Sequence, residues 1–298
     1  MQAIFSSYDT GTMNSKILSE PNMTSQIYVR ETMKFSDTPQ TILSEICDCL
    51  KHYAAPICGI DEERNCFLGS CTFVESDRRH FLLTATHVWE KLKAFPHVGI
   101  ALRRHPAPSL QIPTRLLKPI VVGKRATDEW GPDLMFLELA DSDAGIIGAC
   151  KSFWNLGKRR EMKSTPLLEI EDGMWVVIGA PEKQIQQTGN HRVFGMRVSF
   201  CPADAYSMHS SFDYVDLGID ATATSALETY GGMSGSGVWR VRLLRNPSGQ
   251  LVLQSNELCL EGVAFYESPI TDGHRLIRCH GRKSLYGEGL AAIDASTK

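Results

Sequence analysis

From Cys66 onward the chain is written in short apolar runs, separated by turn-forming stretches and almost free of helical periodicity. Cys66–Val74, His80–Thr84, Val98–Arg103, Leu116–Val122 and Leu134–Leu139 form one series, rich in Val, Ile, Leu and Phe. Glu75–Asp77, His105–Pro108 and Thr127–Pro132 punctuate it. A second series comprises Met174–Gly179, Arg192–Phe200, Tyr214–Ile219, Gly237–Leu244, Leu251–Leu253, Glu261–Phe265 and Leu276–Arg278. Runs of this length bounded by turn residues are strands. Strands at regular spacing without alternating long helices predict an all-β barrel or sandwich rather than an α/β sheet. No fixed-period repeat marks a solenoid or propeller. Asp141–Glu171, charged and irregular, is the natural bridge between the two series.

The region before Cys66 is different. Residues 1–38 are polar and rich in Ser and Thr, which predicts an extension disordered or draped over the body. Ile42, Leu43, Ile46, Cys49 and Leu50 recur at helical spacing, so 40–53 reads as a short amphipathic helix. Pro56 and Gly59 bracket a switch to extended structure. A chain of 298 residues that is 43% hydrophobic can bury one large core or two small ones. Its formal charge of −3 gives no general reason to expect nucleic acid or an anionic membrane as partner. No apolar run is long enough for a spanning helix, and the first 30 residues lack the pattern of a secretion signal. Nine cysteines cannot all pair internally. The expectation is reduced thiols in a cytoplasm, most of them acting as small buried hydrophobes. Cys47, Cys49 and His52 cluster, but no second Cys/His pair follows at finger-like spacing, so the segment reads as a helix face and no metal is expected.

Three segments carry chemistry, and their order matters. Phe81–Val88 is an apolar strand, two small residues and His87; Gly131–Leu139 sets Asp133 at the entrance to an apolar strand; Tyr230–Trp239 wraps glycines around Ser234 and feeds a strand. Alone, His87 is a turn residue, Asp133 a cap and the glycine loop a flexible connection. Together they supply the parts of acyl transfer. A serine hydroxyl needs a base as it attacks; an imidazole can take and return the proton; a buried carboxylate fixes the imidazole tautomer. A loop nearly devoid of side chains lets two backbone amides converge on a developing oxyanion. Asp128, Asp141 and Asp143 compete for the carboxylate role, but none directly opens an apolar strand.

The order His87, Asp133, Ser234 differs from that of the α/β-hydrolases, and Gly232-Met233-Ser234-Gly235-Ser236 lacks their G-x-S-x-G elbow. Gly69–Val74, Thr84-Ala85-Thr86-His87, Asp133–Leu137 and Gly232–Ser236 resemble the successive motifs of the chymotrypsin-like (trypsin-like) serine proteases, more narrowly the bacterial branch with HtrA-type and glutamyl endopeptidases. The resemblance covers about residues 55–290. It implies two packed antiparallel six-stranded β-barrels with the active site in the cleft between them. Residues 1–53 would be the polar extension plus helix, 54–150 the barrel carrying His87 and Asp133, and 151–298 the bridge and the barrel carrying Ser234. It also implies an oxyanion hole from the N–H groups of Gly232 and Ser234, with neither metal nor organic cofactor. Met233 stands where secreted zymogens carry the Asp that pairs with a new N-terminus, and no cysteines flank His87 or Ser234 as in the disulfide-braced animal enzymes.

By the same resemblance Glu228, Thr229, Phe265, Tyr266 and Glu267 line the substrate pocket. Either Glu228 at its base, with Glu267 at its mouth, would select Arg or Lys, or Glu228 is a solvated loop residue. Thr229–Ser234 also resembles the loop of glutamyl-specific enzymes, whose histidine on the later strand is replaced here by Ala264; His274 and His280 are the substitutes on offer. The function expected is a regulated intracellular serine endopeptidase acting on protein or peptide substrates, with an activating or inhibiting protein partner and no role for nucleic acid or membrane. The alternative is a latent or non-catalytic module of the same fold, switched by a partner in bacterial defence or stress response.

Overall fold

A computed structural model of the chain describes residues 29–31, 37–61, 65–102, 109–123, 131–163, 173–188, 191–223 and 226–297. Most of the polar extension and Asp128 lie outside the described residues. Within them, β1 (Val29–Glu31) pairs through its backbone with a strand of the second sheet, and α1 (Gln40–Leu50) follows. The first sheet is built from β2 (Ala54–Ile60), β3 (Asn65–Ser76), β4 (Arg79–Thr84), β5 (His97–Ile100), β6 (Leu110–Pro113), β7 (Lys118–Gly123) and β8 (Leu134–Glu138). Helix α2 (Thr86–Leu92) follows β4, α3 (Asp141–Gly148) follows β8, and β9 (Trp154–Asn155) adds to β3 in parallel. The second sheet contains β10 (Met174–Gly179), with β11 (Gln186–Thr188) and β12 (His191–Val193) forming a separate hairpin. It continues through β13 (Arg197–Phe200), β14 (Ala203–His209), β15 (Phe212–Asp220), β16 (Gly237–Arg245), β17 (Leu251–Glu267) and β18 (His274–His280) before α4 (Leu290–Ala295).

Strand order is β6-β5-β2-β3-β4-β8-β7 in the first sheet and β13-β10-β16-β17-β18-β15-β14 in the second. Along these paths all pairings are antiparallel. In each sheet the two edge strands are neighbours in the chain. β6 and β7 are joined through the short turn Thr114–Leu116, and β13 and β14 through Cys201 and Pro202. A strand edge left open invites pairing with other chains; here the chain itself carries each sheet from one edge to the other.

The continuous apolar runs follow from burial on both faces, since alternate side chains of a strand point to opposite sides. In β4, Phe81 and Leu83 join a core shared with Val176, Ile178 and Trp239 of the second sheet, while Leu82 joins Ile57, Phe73 and Val98 inside the first. In β10, Met174, Val176 and Ile178 face the shared core and Trp175 and Val177 face the interior of the second sheet. Helix α1 adds Ile46 and Leu50 to the shared core; each such burial stabilises by about 1.5–3 kcal/mol. The C-terminal segment adds Leu285, Tyr286, Leu290 and Ile293. Arg79 of β4 clamps it, pairing bidentately with Glu138 at 2.8 Å and donating to the Ile293 carbonyl.

Some boundaries differ from the sequence-based expectation. Arg192–Phe200 is broken between β12 and β13. Leu251–Leu253 and Glu261–Phe265 are parts of the single strand β17, because its ladder to β16 continues past exposed Ser255 and Asn256 across a bulge. The bridge contains α3, whose first turn carries Asp141 and Asp143 beside the positive end of the helix. Ala144 and Ile147 anchor α3 on the first sheet's core.

Candidate active site

Register brings His87 and Asp133 together. β4 and β8 are antiparallel with Thr84 opposite Met135, so the chain leaving β4 lies beside the chain entering β8. His87, in the first turn of α2, donates its backbone N–H to Asp133 Oδ1 at 3.0 Å, and its ring Nδ1 lies 2.6 Å from Asp133 Oδ2. Asp133 is fully buried, whereas the His87 side chain is 23% exposed. A carboxylate accepting at Nδ1 fixes the proton there and leaves Nε2 as the free acceptor. Of the rival carboxylates, Asp141 and Asp143 lie on α3.

The segment Gly231–Ser236 turns into β16 under tight constraint. Gly232 and Gly235 have φ of +88° and +91°, a region side chains rarely adopt. A Cβ at Gly235 would stand 2.0 Å from the Ser70 carbonyl oxygen, and one at Gly232 would stand 2.4 Å from the Phe67 ring. Ser70 of β3 is the anchor. Its N–H donates to Ser234 O at 2.9 Å, and its hydroxyl donates to Gly232 O and accepts from Ala180 N–H, both at 2.9 Å. Thr84 and Thr72 complete the tie by donating to Ser70 O and Gly235 O.

These bonds orient the loop's amides. Met233, Gly235 and Ser236 N–H donate to Tyr230 O, Ala264 O and Met233 O. Gly231 O accepts from Glu182 N–H at 2.8 Å, so across a planar trans peptide Gly232 N–H points the opposite way. Among the described residues, no protein acceptor takes the N–H of Gly232 or of Ser234. Two amides of the loop, at Ser234 and two residues before it, are thus uncommitted. The Ser234 hydroxyl donates to Phe265 O at 3.5 Å, and no hydrogen bond joins it to His87. His87 and Ser234 line one cavity of about 270 Å³, together with Tyr230, Met233, Ala264 and Ile277.

Phe265, Tyr266 and Glu267 also line this cavity, but two of the pocket residues expected from the sequence do not. Glu228 is on the surface, its carboxylate 81% exposed and paired with Lys183 at 2.9 Å; Lys183 holds its pKa below the usual carboxylate value. It forms no pocket base, because the chain there turns its side chain outward and offers only its carbonyl, to Arg275. Thr229 sits behind the wall, its hydroxyl donating to Glu267 Oε2 at 2.9 Å. The proposed substitutes for the missing glutamyl-binding histidine are not in the cavity either. His274 is exposed, and His280 is buried behind Phe265, on which its ring stacks at 4.5 Å.

His280 touches the site from the other side: its Nε2 accepts the Asp133 N–H at 3.0 Å. Burial pushes its pKa down to about 3, with Asp133 opposing the shift, so the ring is neutral. Ser70 and Arg275 are supporting residues that sequence reasoning missed, and His280, read from the sequence as a substitute histidine for the pocket, supports Asp133 instead. Ser70 lies inside the Gly69–Val74 run, yet nothing in that run marks its hydroxyl as a tether. Among the cysteines, Cys71 and Cys201 are pushed up to about 12 by burial, which leaves them unreactive as nucleophiles. All nine thiols are unbridged. Among the described residues, no helix is long and apolar enough to cross a membrane. Compared with known proteins, the chain matches no family model and no curated protein.

Proposed function

We propose that this chain is a serine endopeptidase of chymotrypsin-like fold. The observation that carries the reading is that one cavity is lined by both Ser234 and a His87 whose Nδ1 is tied to the buried Asp133, with the N–H groups of Gly232 and Ser234 uncommitted in the same loop. Each sheet has eight strands where the resemblance implies six; the antiparallel paths whose edge strands are chain neighbours support a barrel-like reading, and the cavity draws on residues of both halves. In this mechanism His87 Nε2 takes the Ser234 proton as Oγ attacks a peptide carbonyl. The N–H groups of Gly232 and Ser234 hold the oxyanion, and Asp133 stabilises the imidazolium. His87 then protonates the leaving amine, and water activated by His87 releases the acyl group. Protein or peptide substrates belong to this reading, and nine unbridged thiols fit a cytoplasmic setting.

The test is labelling with a fluorophosphonate, which reacts with an activated serine. Folded wild-type protein takes the label and Ser234→Ala does not; an unlabelled, folded wild type overturns the reading. One observation favours a latent form of the same enzyme: the Ser234 hydroxyl rests on Phe265 O and not on His87. Catalytic hydrogen bonds commonly tighten only in the substrate complex. Labelling that rises only after a peptide or protein partner is added supports latency.

A further inference from the structure

The carboxylate that lines the pocket beside Ser234 is Glu267, which the resemblance set at the mouth of a pocket for Arg or Lys. The structure shows that carboxylate already committed. Oε1 accepts the Tyr230 N–H at 3.0 Å and faces the Arg275 guanidinium in an ion pair. Oε2 accepts from the Thr229 hydroxyl at 2.9 Å. Arg275, 8% exposed, is held in turn by donating to Glu228 O at 2.8 Å. The pair is therefore a built part of the wall, and it cancels the pocket's charge. Beside it, Met233, Ala264 and Ile277 supply apolar surface and Tyr230 its ring, each 6% exposed or less.

Resting on the peptidase reading above, we infer that this pocket selects an uncharged, apolar side chain of the size of Leu, Met or Phe before the scissile bond, because Arg275 neutralises Glu267. A Lys or Arg entering would meet a carboxylate that already accepts from Tyr230 N–H and the Thr229 hydroxyl and, behind it, a like charge. A Glu or Asp would meet Glu267 first, with Arg275 out of reach behind the wall. Either charge would give up its hydration without a free partner, which is costly. An apolar side chain gives up nothing of the kind and covers the floor.

The experiment compares peptidyl diphenyl phosphonates that differ only in the residue before the phosphorus: Leu, Phe, Lys or Glu. On the wild type, the Leu and Phe probes inactivate about 100-fold faster than the Lys and Glu probes. Arg275→Gln uncovers the carboxylate and raises the Lys probe relative to Leu by about tenfold; Glu267→Gln uncovers the guanidinium and does the same for the Glu probe. Ratios measured on one preparation are insensitive to partial loss of folded protein, and the two variants act in opposite directions. Fastest inactivation of the wild type by the Lys or Glu probe, or unchanged ranking in both variants, overturns the inference while leaving the peptidase reading intact. Failure of the generic fluorophosphonate to label folded protein removes both.

Discussion

The Ser70 hydroxyl donates to the Gly232 carbonyl across 2.9 Å, joining β3 of the first sheet to the loop that carries Ser234 in the second. The same oxygen accepts from Ala180 N–H, so one buried hydroxyl satisfies two backbone groups. A site split between two sheets needs such a tie, because positioning errors of about an ångström between nucleophile and base cost about 100-fold in rate.

Ser70→Ala strands the Ala180 N–H and the Gly232 carbonyl in the interior. A loss of about 1–3 kcal/mol in stability is expected, with kcat falling more than KM rises because the Gly232 amide loses its set. Denaturant unfolding and steady-state kinetics measure the two effects. Full activity in Ser70→Ala would show that the loop holds its shape without the tie.

Asp133→Asn keeps the shape but can present an amide N–H to His87 Nδ1, which favours the wrong tautomer. The rate of phosphonate inactivation should fall by about 10⁴-fold with the fold retained. The Asp141→Asn and Asp143→Asn controls on α3 should inactivate at the wild-type rate. A slow Asp141 or Asp143 variant beside an unaffected Asp133→Asn would reassign the carboxylate.

Gly235→Ala places a methyl group 2.0 Å from Ser70 O at φ +91°. Neither atom has a flexible side chain with which to yield, so the loop must move and the strain costs about 1–3 kcal/mol. The expected result is lost labelling at Ser234 and a lower Tm. Gly249→Ala is the informative contrast, since that position also has positive φ (+81°) but open space around its Cβ.

His280 makes stability depend on pH. Its folded pKa of about 3 lies below the ordinary value of 6.5, so below that value the unfolded chain binds a proton that the folded protein refuses. The contribution is complete above pH 6.5 and is lost as pH falls toward 3, with a slope of at most about 1.4 kcal/mol per pH unit. His280→Gln retains an acceptor for the Asp133 N–H but cannot titrate. Its stability should therefore vary less between pH 4 and 6.5 than that of the wild type. Parallel curves from urea unfolding would sink the assignment.

The strands were legible because they are buried on both faces. Phe81-Leu82-Leu83 needs no alternation when Leu82 faces one core and its neighbours another. Strand β14 was not legible: in Ala203–His209 Tyr206 and Met208 are exposed, and its place comes from backbone pairing with β15. Helix α3 was masked for a similar reason, as Asp-Ser-Asp at its start reads as loop until Ala144 and Ile147 find the first core.

The sequence by itself determined the chemical inventory: which residues are nucleophile, base and carboxylate candidates, in what order, and in which strand or loop contexts. Those contexts are local, carried by apolar runs and by glycines at positive φ. Only the tertiary structure decided which charges face the cavity and which do not. Glu228 and Glu267 look alike in the sequence, yet one pairs with Lys183 in solvent and the other is held by Arg275 in the pocket wall. The tie through Ser70 and the neutral His280 behind Asp133 are likewise contacts between residues 162 and 147 positions apart. A side chain's charge is written in the sequence; whether it is free to act depends on what the fold places beside it.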